Sequence, residues 1–71
     1  MAQLTHEQYE ELERAIIDGR RVSIHRRGTE FVVVPLALLL QEGREAIETR
    51  HPTTGESLQF FLDDLESLDV V

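Results

Sequence analysis

Cysteine is absent from the 71 residues of this chain, which excludes disulfide bonds and thiolate metal sites as supports for its core. The longest apolar run, Leu36 to Leu40, is far too short to cross a bilayer. The first residues, Met1 to Leu4, lack the basic and apolar stretches of a signal peptide. We therefore expect one domain over residues 1–71, in the cytoplasm, with no membrane partner.

The charge is strongly acidic overall but unevenly distributed. Fourteen acidic residues against seven basic ones give a net charge of −7, which repels nucleic acid on average. Four of the cations nevertheless lie within eight positions, with a histidine among them: Arg20, Arg21, His25, Arg26 and Arg27.

The first element is predicted to be a helix over residues 5–18. Thr5 is a favourable N-cap, Gln8 completes a capping box, and Gly19 is a typical helix stop. One apolar stripe follows at helical spacing: Tyr9, Leu12, Ala15 and Ile16.

The rest of the chain has the pattern of short strands. Alternating or β-branched segments predict strands at 21–27, 31–34, 36–40, 44–50, 58–62 and 68–71. Gly28-Thr29 is expected to turn the chain, and Pro35 to end a strand. Asp63 and Asp64 are expected to cap a helical turn.

Residues 35–50 allow two interpretations. Their composition favours a helix, but Gly43 would then lie in its middle, at a cost of about 1 kcal/mol relative to alanine. The leucines also crowd one end, so a helix would be apolar on all sides there and nearly bare further on. A hairpin turning at Glu42-Gly43 explains this spacing better, but Glu-Gly is a weaker turn signal than Asn-Gly, so propensity alone does not decide between the two.

Four segments carry a resemblance to a known family. They read Gly19-Arg20-Arg21-Val22-Ser23-Ile24, then Val32-Val33-Val34-Pro35-Leu36, then Leu38-Leu39-Leu40-Gln41-Glu42-Gly43-Arg44, and finally Phe60-Phe61-Leu62-Asp63-Asp64-Leu65-Glu66-Ser67-Leu68-Asp69-Val70. In this order they resemble the WYL domain, an Sm-like (SH3-like) β-barrel common in bacterial transcriptional regulators. The resemblance favours the hairpin over the helix for residues 35–50, so we predict a hairpin. It implies a mainly β (α+β) fold, with the helix followed by a five- or six-stranded barrel over residues 21–71.

The same resemblance implies a role in sensing a ligand or a nucleic acid for an attached DNA-binding domain. The Trp, Tyr and Leu that name the family correspond here to Glu45, Ala46 and Ile47. Arginines of its closing pattern are replaced by Phe61 and Asp64. Residues 1–18 supply one helix, which is too little for a helix-turn-helix.

The basic run is the candidate anion site. Arg21, Ser23, His25 and Arg27 are expected on one strand face, and Arg20 lies beside them, so donors would line up for phosphates. The alternative is that these cations balance the acidic helix and the acidic C-terminal segment.

Other chemistry finds little support. The three histidines lie in different elements, so we expect no metal site and no cofactor. Neither a cysteine nucleophile nor a glycine-rich phosphate loop is present, so no catalytic residue is predicted. Phe61 points away from Phe60 and Leu62, which makes it either an exposed interaction surface or core beneath a helix.

We therefore predict a non-enzymatic regulatory module that docks a protein partner or a second copy of itself. Docking is expected through open strand edges or through the face of Arg21, His25 and Arg27. The alternative is a binder of nucleic acid or nucleotides that uses the same face. Such binding would weaken steeply as salt rises.

Overall fold

The computed structural model describes residues 4–71, so the expectation about the first three residues lies outside it. A helix, α1 (His6–Asp18), precedes five strands. These are β1 (Val22–Arg26), β2 (Thr29–Gln41), β3 (Arg44–Arg50), β4 (Ser57–Phe61) and β5 (Ser67–Val70). A 3-10 turn, η1 (Leu62–Asp64), separates the last two. All strand pairings are antiparallel, in the order β4-β3-β2-β1-β5.

The boundaries of α1 confirm the capping prediction. Gln8 N–H donates to the Thr5 hydroxyl at 3.1 Å, and Thr5 N–H donates to the Gln8 side-chain oxygen at 2.8 Å. Gly19 ends the helix in the left-handed region, at φ 69°. The predicted apolar stripe faces the sheet, with Leu12 and Ala15 buried.

Residues 36–50 form the predicted hairpin. Gln41 pairs with Arg44, which leaves Glu42 and Gly43 as a two-residue turn. Both have positive φ, 53° and 77°, as a type I′ turn requires. The helical alternative for this segment is therefore wrong.

The prediction that Pro35 ends a strand is also wrong, because β2 continues through it. The register shifts between Pro35 and Ala37, which marks a bulge. Residues of β2 up to Val33 pair with β1, and those from Val34 pair with β3. Proline has no N–H to donate, and a strand tolerates it where the ladder is interrupted in this way.

Two local predictions need correction. The first turn consists of Arg27 and Gly28, because Thr29 already pairs with Arg26. The 3-10 turn η1 has no side-chain cap. Asp63 and Asp64 pair with Arg44 instead, because an ion pair offers each carboxylate a stronger partner than a neighbouring amide.

The core lies between α1 and one face of the sheet. Its largest fully buried apolar side chains are Phe60, Leu12, Ile24, Ile47, Leu65, Val22 and Val33. Five strands are present, and the sheet is open because β4 and β5 form its two edges. Within residues 4–71, no helix has the length and apolar character needed to cross a membrane.

Candidate functional site

The structure separates the arginines of the basic run. Arg21 precedes β1 and Arg27 lies in the turn after it, so about 20 Å of extended backbone lies between them. Arg20 donates to the main-chain oxygen of Val71 at 3.3 Å. Arg26 turns to the core side, with its guanidinium carbon 5.0 Å from the centre of the Phe60 ring.

A polar network occupies the middle of the β1 face instead. Ser23 donates to Glu30 at 2.6 Å, and Ser67 Oγ lies 3.1 Å from His25 Nδ1. His25 Nε2 is 3.9 Å from the same Glu30 carboxylate. The strand register explains the grouping, because Glu30 and Ser67 are both direct neighbours of His25.

This network suits structure better than catalysis. A serine, a histidine and a carboxylate are the residue types with which an enzyme activates a nucleophile: the histidine is the base, and the carboxylate orients it. The distance of 3.9 Å between His25 and Glu30 is too long for the hydrogen bond that would orient the base. Sequence reading missed Glu30 and Ser67, which only the cross-strand register brings to His25. The network ties β1 to both of its neighbours.

The cations of the basic run do not pair with the acidic helix. In the described part of the chain, Arg44 is the only arginine within 4.0 Å of a side-chain carboxylate. Arg20, Arg21 and Arg27 are exposed to solvent. The β1 face nevertheless carries Glu30 beside His25. The middle of this face therefore holds a carboxylate instead of a row of cations.

The three positions that correspond to the family motif have different environments. Ala46 and Ile47 are fully buried, whereas Glu45 is exposed and accepts a hydrogen bond of 2.6 Å from the Tyr9 hydroxyl. That hydrogen bond raises the pKa of Tyr9, and burial and the negative charge of Glu45 raise it further. Both residues line a cleft of about 230 Å³ with Leu4 and Arg44.

Arg44 organises the other side of this cleft. Its Nε and Nη2 donate to the two oxygens of Asp63 at 3.1 and 2.6 Å, a bidentate pair. Hydrogen bonding to Arg44 lowers the pKa of Asp63. The guanidinium carbon lies 3.9 Å from the centre of the Phe61 ring. Phe61 is half-buried, and Arg44 rather than a helix stacks on it; its role as an interaction surface stays a prediction.

An apolar groove runs between the end of α1 and the middle of β2. We call it the Ile17–Leu36 groove. It measures about 360 Å³ and is lined by Glu13, Ile16, Ile17, Leu36, Ala37 and Leu38. Ile17 is 82% exposed and Leu36 is 42% exposed. These two exposed aliphatic side chains therefore lie in one groove.

The strand pairing explains why this groove is open. From Val34 onward β2 pairs only with β3 in the part of the chain that the structure describes. The edge of β2 toward β1 is therefore unpaired along Leu36 to Leu38 in the described chain. Sequence reading missed the groove, although Ile17 beside the helix stripe and the crowding of leucines after Pro35 were signals for it.

The histidines do not converge. His6 Nε2 contacts Glu10 at 2.8 Å, and His51 Nδ1 accepts the N–H groups of Thr53 and Thr54 at 3.1 and 3.2 Å. Among residues 4–71 no cluster of three histidine or acidic side chains is placed to hold a metal ion.

Comparison of the chain with models of protein families, with curated proteins and with solved structures found no match.

Proposed function

We propose that this protein is a non-enzymatic interaction module whose docking surface is the Ile17–Leu36 groove. The observation that carries the proposal is the exposure of Ile17 and Leu36 along one continuous apolar groove. Burying Ile17 against a partner would contribute about 1.5–3 kcal/mol, and burying Leu36, which is only 42% exposed, about half of that or less. Together they are a useful share of a micromolar affinity.

The open strand edges fit docking less well than the groove does. β4 has five residues and β5 has four, so each offers few backbone groups to an added strand. β5 also carries the exposed carboxylate of Asp69. Short edges that bear charge are features with which proteins discourage strand addition.

We also propose that the open sheet is a partly closed, WYL-like barrel and that the module serves transcription regulation in the cytoplasm. What supports the barrel is β2, which pairs with β1 along its first half and with β3 along its second. A long strand shared in this way bends the sheet around the core. The regulatory role rests on the resemblance.

The proposed function is tested by capture from an extract of the native cell. Wild-type protein is compared with Ile17→Gln and Leu36→Thr, which keep helix and strand propensity. Val71→Gln is the matched control, because Val71 is 63% exposed and lies outside the groove. We expect a protein that wild type and the control retain and both groove variants lose. Equal capture by all four proteins would refute docking in the groove.

A nucleic-acid binder is the second candidate, favoured by one observation. Arg21 and Arg27 are exposed and lie beyond 4.0 Å of every side-chain carboxylate in the described chain. Titration with single-stranded RNA and DNA at several salt concentrations tests it. Affinity that falls linearly on a logarithmic salt scale, and that Arg21→Gln weakens, would favour this candidate.

A further inference from the structure

We propose that the occupant of the Ile17–Leu36 groove is a basic amphipathic segment of another protein, in which leucine-like side chains are accompanied by lysine or arginine. This inference rests on the proposed function and adds the chemistry of the partner. It is drawn from the charges that surround the groove.

The rim of the groove on the helix side is acidic. Glu13 lines the groove itself, and a neighbouring cleft of about 340 Å³ is lined by Glu10, Glu13, Arg14 and Ile17. Ile17 and Glu13 line both clefts, so the apolar side chains of the groove adjoin the glutamates of the neighbouring cleft. A segment seated on Ile17 would place its flanking side chains against these carboxylates.

The other charges of α1 add to the negative potential around the groove. Its carboxylates outnumber its arginines by five to one: Glu7, Glu10, Glu11, Glu13 and Asp18 against Arg14. Glu10 and Glu13 are exposed, and Glu13 makes no ion pair within 4.0 Å in the described chain. Desolvating such carboxylates against an apolar or acidic partner is unfavourable, whereas a cation compensates them.

The same charges argue against a second copy of this chain as the occupant. Two copies would each bring a net charge of −7. In a symmetric dimer the same patch lies on both sides of the interface, so Glu10 and Glu13 of one copy would approach those of the other. Like charges brought together across an interface are unfavourable.

Defined peptides test the proposal on the intact protein. The probes are leucine–lysine, leucine–glutamine and leucine–glutamate peptides of about 14 residues with helical spacing. Binding is measured by fluorescence anisotropy and located by amide chemical shifts. We expect the lysine peptide to bind most tightly and to shift the amides of Ile17 and Leu36.

Two double variants with equal net charge distinguish the effect of the carboxylates at the rim from the effect of the protein's net charge. Glu10→Gln with Glu13→Gln removes two carboxylates beside the groove, and Glu42→Gln with Glu56→Gln removes two exposed ones elsewhere. Each pair changes the net charge from −7 to −5. We expect the rim pair to weaken the lysine peptide by about 2- to 10-fold, and the distant pair to weaken it by less than about 2-fold.

The outcomes distinguish this inference from the proposed function. If all three peptides shift the groove amides equally and the rim pair changes nothing, the groove docks partners but their basic character is refuted. Concentration-dependent dimerisation that Leu36→Thr abolishes would also refute it, in favour of a second copy. If no peptide shifts the groove amides, both the inference and docking in the groove fail. Amide shifts on the wild-type protein keep the test valid if a variant does not fold.

Discussion

The two hairpins of this protein have the same turn geometry, but the last apolar side chain before each turn differs in burial. Arg27 and Gly28 have φ of 51° and 77°, and Glu42 and Gly43 have φ of 53° and 77°. Both are therefore two-residue turns of the primed type. The first hairpin buries Ile24 completely, whereas the second leaves Leu40 76% exposed. Turn chemistry is thus repeated along the chain, but burial is not.

The connection between β4 and β5 holds the two hairpins in different ways. At the first turn, the Glu66 carboxylate accepts the N–H of Gly28 at 2.7 Å. At the second, Asp63 pairs with Arg44, the residue directly after the turn. The first contact fixes the turn itself and the second fixes only its flank. Apolar side chains stay exposed at the second hairpin and at the bulge, namely Leu40 and Leu36.

The largest effect is expected from truncation in the buried hairpin. Ile24→Ala should lower the free energy of unfolding by about 2–5 kcal/mol, because it leaves a cavity in the core. Leu40→Ala should change it by less than about 0.5 kcal/mol, because that side chain is mostly solvated already. Urea denaturation measures both. Similar losses from the two variants would show that Ile24 and Leu40 are buried to a similar extent.

Loss of the contact at the first turn is expected to have a smaller effect. Glu66→Ala removes the acceptor of Gly28 N–H and should lower the free energy of unfolding by about 1 kcal/mol. Glu66→Gln keeps an acceptor oxygen and should lose less. Urea denaturation of the three proteins checks this order, and a Gln variant as unstable as the Ala variant would contradict it.

The second turn should be open to improvement. Glu42 adopts a positive φ that asparagine tolerates better than glutamate does. Glu42→Asn is therefore expected to raise the free energy of unfolding, by about 1 kcal/mol or less. A lower urea midpoint than that of the wild type would mean that Glu42 has a stabilising contact.

The smallest effect concerns pH at the flank of the second turn. Arg44 lowers the pKa of Asp63 from its ordinary value of 3.8, so the folded state favours the ionised carboxylate. The pair therefore stabilises the protein fully above about pH 4–5 and less as the pH falls through the folded-state pKa. Urea midpoints of wild type and Asp63→Asn should converge as the pH falls below 3.8. A constant difference from pH 7 to pH 3 would contradict the pairing.

Local signals in the sequence predicted much of the fold. The capping residues placed the start of α1, and Gly19 placed its end. Gly43 and the spacing of the leucines favoured a hairpin over the helix that composition favours, and the family resemblance decided the prediction. These features depend on neighbours a few residues apart, so a linear pattern contains them.

The errors concern partners that lie far apart in the chain. Whether a strand continues through Pro35 depends on the neighbours of β2, which pairs first with β1 and then with β3. No local sequence pattern indicates this change of neighbour. Asp63 found Arg44, 19 residues away, instead of capping its own turn. Arg21 and Arg27 were expected on one strand face. β1 spans Val22–Arg26, so the two arginines lie just beyond its opposite ends, and their role as an anion site stays a prediction.

By itself the sequence determined where the chain is helical, where it is extended and where it reverses, because caps, glycines and side-chain periodicity act over a single turn or strand. Only the tertiary structure decided which aliphatic side chains are buried and which charges stand alone. Leu36 and Ile17 are aliphatic, as core residues usually are, but whether they are buried depends on what packs against them. Among residues 4–71 no strand pairs with this part of β2 on the side toward β1, and Leu36 and Ile17 stay exposed at the groove.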